Sequence, residues 1–207
     1  MIDEEVRERV LNAADRLYYG RGIQSVGMDE LRRASGVSLK GLYGVFPSKA
    51  AIVLEVLDRR HALWNAGVSD RVARADNPRA KLLAIYDYLS DWFSDDTFRG
   101  CGFINAFAEL GSISPEIAER ARQHKAGFQS FVARLVADAG ADPNLAPQLS
   151  ILAEGAQTTA AIAGTPEAAV HARRAAEILI DAAMIERATS ASESSAAEAK
   201  AEAKAEA

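Results

Sequence analysis

The feature that most constrains this chain is a short break, Gly36-Val37-Ser38, set between two runs of helical spacing. Before the break, Met28, Leu31 and Ala34 recur at threes, which places them on one face of a helix and leaves Asp29, Glu30, Arg32 and Arg33 elsewhere on its surface. Gly36 stands where a chain leaving a helix adopts a positive φ that glycine takes at least cost. Ser38 is placed to cap a second helix, its hydroxyl accepting from a free backbone N–H two or three residues on. In that second helix Leu42 and Phe46 lie four apart and face inward, so Leu39, Lys40, Gly41, Tyr43 and Gly44 turn outward. Pro47 then ends it, and Ser48 and Lys49 open the next helix.

Two short helices joined by a tight turn, the second presenting a partly basic face, is the shape that seats a helix in the major groove of DNA. Gly41 and Gly44 carry no side chain, which lets backbone approach a phosphate or a base edge. A lysine beside a helix N-terminus, as at Lys49, suits a phosphate.

The run of Gly36-Val37-Ser38, then Leu42-Tyr43, then Phe46-Pro47-Ser48-Lys49 resembles the recognition half of the TetR family of bacterial transcriptional regulators. The resemblance reaches back through Arg21-Gly22 and forward into the fourth helix, roughly the first quarter of the chain. It implies that Tyr43 and Lys49 bind phosphates, that Ser38 starts the recognition helix, and that Leu39, Lys40 and Gly41 face bases or the sugar-phosphate. The sequence departs from the pattern at Gly27, where a capping Thr or Ser is usual, at Arg32, where a small Ala is common, and at Gly41, where Thr is frequent.

The whole chain has 207 residues, 49% hydrophobic, rich in Ala, Leu and Glu with few β-branched runs, which predicts an all-α fold. Its net charge of −5 is unevenly spread: residues 1–60 hold ten Lys+Arg against nine Asp+Glu, and residues 61–207 hold fourteen against twenty. A charge-driven coat on nucleic acid is thereby disfavoured, and DNA affinity would rest on a few positioned phosphate contacts, doubled by dimerisation. One cysteine permits no internal disulfide, and no apolar run approaches about 18 residues, so a cytoplasmic protein with no membrane partner is expected.

The expected organisation is an N-terminal three-helix helix-turn-helix domain over residues 1–50, continuing into a connecting helix to about residue 66. A helical ligand-binding and dimerisation domain follows over 51–187, and then a disordered or transiently helical tail over 188–207. The first helix covers Asp3 to Tyr19, with Val6, Val10, Ala13, Ala14 and Leu17 inward. The basic group Arg59-Arg60-His61 is read as a solvated face or inter-helix ion pairs rather than a DNA contact. Further helices start at Asn77-Pro78 and Ser114-Pro115, and another covers Gln148 to Ala163. The last helix runs to about Arg187; it and its predecessor are Ala-rich and suited to a four-helix interface between two copies.

Between these helices a chamber for an apolar or aromatic effector is expected, a reading that leans on the family resemblance. Its candidate lining is Trp64, Tyr86, Trp92, Phe103, Asn105, Phe107, Glu109, His124 and Phe128. Cys101 fits a small buried hydrophobe better than a redox-sensing thiol. The motifs of serine hydrolases, phosphate-binding loops and zinc proteases are missing, and His61, His124 and His171 are isolated, so neither an enzyme nor a metal or cofactor site is expected. The function expected is a homodimeric repressor released from a palindromic double-stranded operator by a small molecule. Two alternatives remain: a ligand-independent architectural or cell-cycle DNA binder, and a small-molecule binding protein with a decayed DNA module.

Overall fold

The computed structural model describes residues 2–205, and within them nine α-helices and no strand. They are α1 (Ile2–Arg21), α2 (Met28–Ser35), α3 (Leu39–Val45), α4 (Lys49–Ala73), α5 (Pro78–Phe93), α6 (Gly102–Leu110), α7 (Pro115–Asp138), α8 (Leu145–Ala163) and α9 (Glu167–Ala205).

Most boundaries are set by local chemistry. Ser38, Ser48, Asn77 and Ser114 each cap their helix by accepting a backbone N–H three residues on, which satisfies a donor that has no partner within the helix. Gly27 occupies the cap of α2 with no side chain to offer, and Gly36 closes that helix at φ 65° in the left-handed region. Leu31 and Ser35, not Ala34, are the buried residues of α2. The eighth helix begins at Leu145, three residues before the expected start at Gln148. Pro147 sits in its first turn, where the missing N–H would have had no intrahelical partner. The ninth continues as backbone helix through the expected tail to Ala205. Residues 206 and 207 of that tail lie outside the described residues.

Two apolar cores form. One gathers Val10, Ala14, Leu31, Leu42, Phe46 and the first half of α4, and it also takes in Phe103 and Ala106 of α6 and Ile117 and Ala121 of α7. The other unites the second half of α4, from Trp64 to Val72, with α5, α7, α8 and α9. The fourth helix therefore belongs to both cores, and it passes straight through Gly67 to Ala73. The sixth helix thus packs into the same core as the helix-turn-helix.

Ion pairs fasten the first half of α4 to α1. Arg7 reaches Glu55, Arg59 reaches Glu8 at 2.6 Å, and Arg60 reaches Asp15. The basic group on α4 thus makes inter-helix pairs.

Candidate functional site

The outward face of α3 is built from below. Leu42 and Phe46 are buried, 0% and 1% exposed, and fix the helix on α1 and α2. Arg9 donates to the carbonyls of Ser35 and Gly36 at 2.8 Å, tying the turn between α2 and α3 to the first helix. With its inner face so held, α3 turns Leu39, Lys40, Tyr43 and Gly44 to solvent, Leu39 at 42% and Tyr43 at 49%. The backbone N–H of Gly41 is used by the Ser38 hydroxyl at 3.0 Å. A Cβ at Gly41 would meet Val37 and Ser38 at 3.1–3.2 Å, so glycine here serves the cap as well as the exposed face.

Lys49 is placed differently from expectation. Its ammonium donates to the carbonyls of Ile23 and Val26, at 2.6 and 2.7 Å, inside the turn that joins α1 to α2. Burial lowers its pKa, opposed by the nearby Glu109 carboxylate. An ammonium holding two carbonyls of the domain's own turn positions that turn and keeps one N–H beyond them.

Glu109 grips the same turn from the other side. Its carboxylate accepts from the backbone N–H of Ile23 at 2.9 Å and of Gln24 at 2.7 Å, while its own carbonyl accepts from the Gln24 side chain. Gly22, at φ 88°, is close enough that a Cβ would stand 3.1 Å from this carboxylate. Glu109 is therefore a strut between α6 and the helix-turn-helix, and it lines a small cavity of about 20 Å³ with Asn105 and Arg60. No local spacing could have revealed it, because its partners are 85 and 86 residues away.

Of the expected chamber residues, the structure brings four together. Trp64, Trp92, Phe103 and His124 surround a cavity of about 140 Å³, joined by Arg60, Tyr88, Cys101 and Gln157. The rings interlock: Trp64 meets Trp92 at 5.3 Å and Tyr88 at 5.2 Å between centroids, and Phe103 stacks on His124 at 3.8 Å. His124 shares a hydrogen bond of 2.9 Å between Nδ1 atoms with His61, so one ring donates and the other accepts. Burial, then Lys125, then His61 push the His124 pKa down to about 3, leaving it neutral at ordinary pH. Spacing on α4 held the signal for Arg60, one helical turn before Trp64 and on the same face.

The other five do not line this cavity, although Asn105 and Glu109 share the small neighbouring one. Tyr86 is 0% exposed and donates to the Leu149 carbonyl at 2.7 Å, a core strut between α5 and α8. Phe128 is buried behind Trp64, with ring centroids 5.8 Å apart. Asn105 donates to the Arg99 carbonyl at 3.0 Å. Phe107 is half exposed and borders an outer groove of about 400 Å³ between α6 and α7. Glu109 is the strut described above. Cys101 is buried, as expected, with the Lys125 ammonium 3.3 Å from its sulfur and paired to Glu154.

A third surface is apolar and faces solvent. Ile151 and Ile162 lie three turns apart on α8, 69% and 83% exposed, and Val170 and Ile178 are exposed on α9. Among the described residues no helix is long and apolar enough to cross a membrane.

Comparison with known proteins agrees with this architecture. Residues 10–56 match the family described as bacterial regulatory proteins, tetR family, and residues 78–192 match tetracyclin repressor-like, C-terminal domain. The transcriptional repressor NemR of Escherichia coli K12 is 26% identical over 117 residues, 56% of this chain and 59% of its own length. The transcriptional activator FasR of Mycolicibacterium smegmatis is 32% identical over 94 residues, 45% of this chain and 43% of its own length. The chain thus spans about half the length of these curated relatives. The crystal structure of SCO4454, a TetR-family regulator from Streptomyces coelicolor, superposes with a TM-score of 0.82 at 26% identity, covering 87% of this chain and 97% of that one. With an N-terminal helix-turn-helix, an all-helical C-terminal domain and matches across both, the chain belongs to the TetR family of DNA-binding transcriptional regulators.

Proposed function

We propose that this protein is a cytoplasmic, homodimeric repressor that a small apolar or aromatic ligand releases from a palindromic operator. The observation that carries the reading is the α3 face: Leu39, Lys40, Tyr43 and Gly44 exposed on a helix whose other side is locked down by Leu42 and Phe46. In the bound state Lys40 and Tyr43 meet phosphates or bases, Gly41 and Gly44 let the backbone close on the duplex, and Ser38 holds the helix start. Lys49 acts at one remove, by holding the α1–α2 turn.

Dimerisation is supported by the exposed isoleucines of α8 and α9, which pair naturally with the same stripe of a second copy about a two-fold axis. The aromatic cavity supports an effector, because α4 and α6 both wall it and both reach the helix-turn-helix. Repression is the preferred sign, as in NemR; FasR is an activator, so the sign depends on where the operator lies relative to its promoter.

Selection of bound fragments from random DNA by the purified protein, at low and near-physiological salt, tests the reading. An inverted repeat that survives the higher salt is the expected result. Enrichment of nothing, with binding lost as salt rises, would overturn it in favour of a ligand-binding protein without an operator.

A further inference from the structure

We propose that the cavity at Arg60 binds a single-ring aromatic carboxylate, whose negative group competes with Asp15 for the Arg60 guanidinium. The inference rests on the effector reading of this cavity and names the ligand's chemistry. Size is the first argument: about 140 Å³ is the scale of a cavity that takes up benzene. Shape is the second, since Trp64, Trp92 and Phe103 offer ring faces and edges on which a flat ring packs.

Charge decides the remainder. Arg60 lines the cavity, and among the described residues that line it there is no carboxylate. An aromatic box of this kind would otherwise suit an organic cation, but a permanently charged guanidinium in the wall repels one. His124 is held neutral and adds no competing charge. Arg60 is moreover incompletely used by the protein. Its Nε donates to Asp15 at 2.5 Å, and the guanidinium lies 3.5 Å over the Tyr19 ring and hydrogen-bonds that residue's hydroxyl, which still leaves N–H groups of the fork to spare. A carboxylate accepting from the terminal nitrogens would complete the planar fork that arginine presents. Gly102 leaves room for the change, because a Cβ there would press on the Arg60 stem at 3.2 Å.

The competition links the ligand to DNA. Asp15 and Tyr19 are residues of α1, so Arg60 both walls the cavity and clamps α4 to the helix that braces the DNA-reading hairpin. A ligand that draws the guanidinium inward loosens that clamp, and this is the differential contact an effector must make.

The test uses tryptophan fluorescence, because the chain's two tryptophans both line the cavity. The full-length protein is titrated with benzoate, benzamide and benzylammonium at matched ionic strength, with circular dichroism confirming that each variant is folded. The expected result is benzoate bound at least about tenfold more tightly than either analogue, the worth of one charge-assisted contact. Arg60→Gln should erase that preference while leaving benzamide affinity in place. Asp15→Asn, which removes the competitor, should tighten benzoate several-fold and leave benzamide unchanged. Equal binding of the three, or a benzoate preference that persists in Arg60→Gln, would overturn the carboxylate inference while leaving the effector cavity standing. No fluorescence response to any of the three would overturn it together with the reading of this cavity as a single-ring effector site.

Discussion

Glu109 offers the most direct way to test how α6 is coupled to the DNA-reading hairpin. Its carboxylate accepts two backbone N–H groups of the α1–α2 turn, at 2.9 and 2.7 Å, and in Glu109→Gln the amide can satisfy only one of them. A hydrogen bond to a charged group contributes about 1.5–3 kcal/mol, and the half-exposed position of this side chain argues for the lower end. The glutamine variant should therefore lose about 1–2 kcal/mol of stability. For a chain of this length that is a fall in Tm of about 2–8 °C. The same substitution detaches the turn from α6, so operator affinity should fall even though Glu109 lies on none of the exposed α3 surface. Thermal unfolding and fluorescence anisotropy on a selected operator measure the two effects. If Tm and operator affinity are both unchanged, the strut carries no energy and the proposed route from α6 to the DNA-reading hairpin is wrong.

Other perturbations give equally definite outcomes. Gly36→Ala forces a left-handed residue and pushes a Cβ within 2.6 Å of the Arg9 guanidinium, so it should cost about 1–2 kcal/mol and weaken operator binding; calorimetry showing no loss would contradict the turn geometry. Lys40→Ala should reduce the slope of log affinity against log salt by about two units, one for each protomer of the dimer, whereas Lys49→Ala should lower Tm with little change of slope; the reverse pattern would return the phosphate role to Lys49. His124 has a folded pKa near 3 against an ordinary 6.5, so the folded protein binds fewer protons than the unfolded chain between those values. Its contribution is intact above pH 6.5 and is lost as pH falls towards 3, about 2 kcal/mol by pH 5. Denaturant titrations at pH 7 and 5 should show this drop in the wild type and not in His124→Phe, and parallel drops in both would refute it.

The parts of the fold that could be read from the sequence are those fixed within a few residues. Capping hydroxyls at Ser38, Ser48 and Ser114, the amide at Asn77 and the left-handed glycine at 36 act on backbone groups two to four positions away, and their spacing survives in the string of letters. The exposed face of α3 follows equally from the Leu42–Phe46 register. What escaped was tertiary. Glu109 and Lys49 bind the same turn from distant parts of the chain, and nothing in their neighbours distinguishes them from a pocket carboxylate or a phosphate-binding lysine. Tyr86 carries the same apolar ring as the cavity aromatics, and only packing reveals that its hydroxyl serves the Leu149 carbonyl. Aromatic stripes mark where a helix is buried, and leave undecided whether the burial is against a side chain or around a space.

The central claim is that two α3 faces, held at a fixed separation by one dimer, read one operator. A protein of this kind places its recognition helices in successive major grooves about 34–36 Å apart, or about 10–10.5 base pairs. The measurement that tests it most directly is binding to the selected inverted repeat with its half-sites at native spacing, and then with five and ten base pairs inserted between them. The account predicts two protomers per site, tight binding at native spacing, and a loss of at least about a hundredfold when five base pairs turn one half-site to the opposite face of the duplex. Binding that is indifferent to the insertions, or that saturates with a single protomer on one half-site, would contradict it.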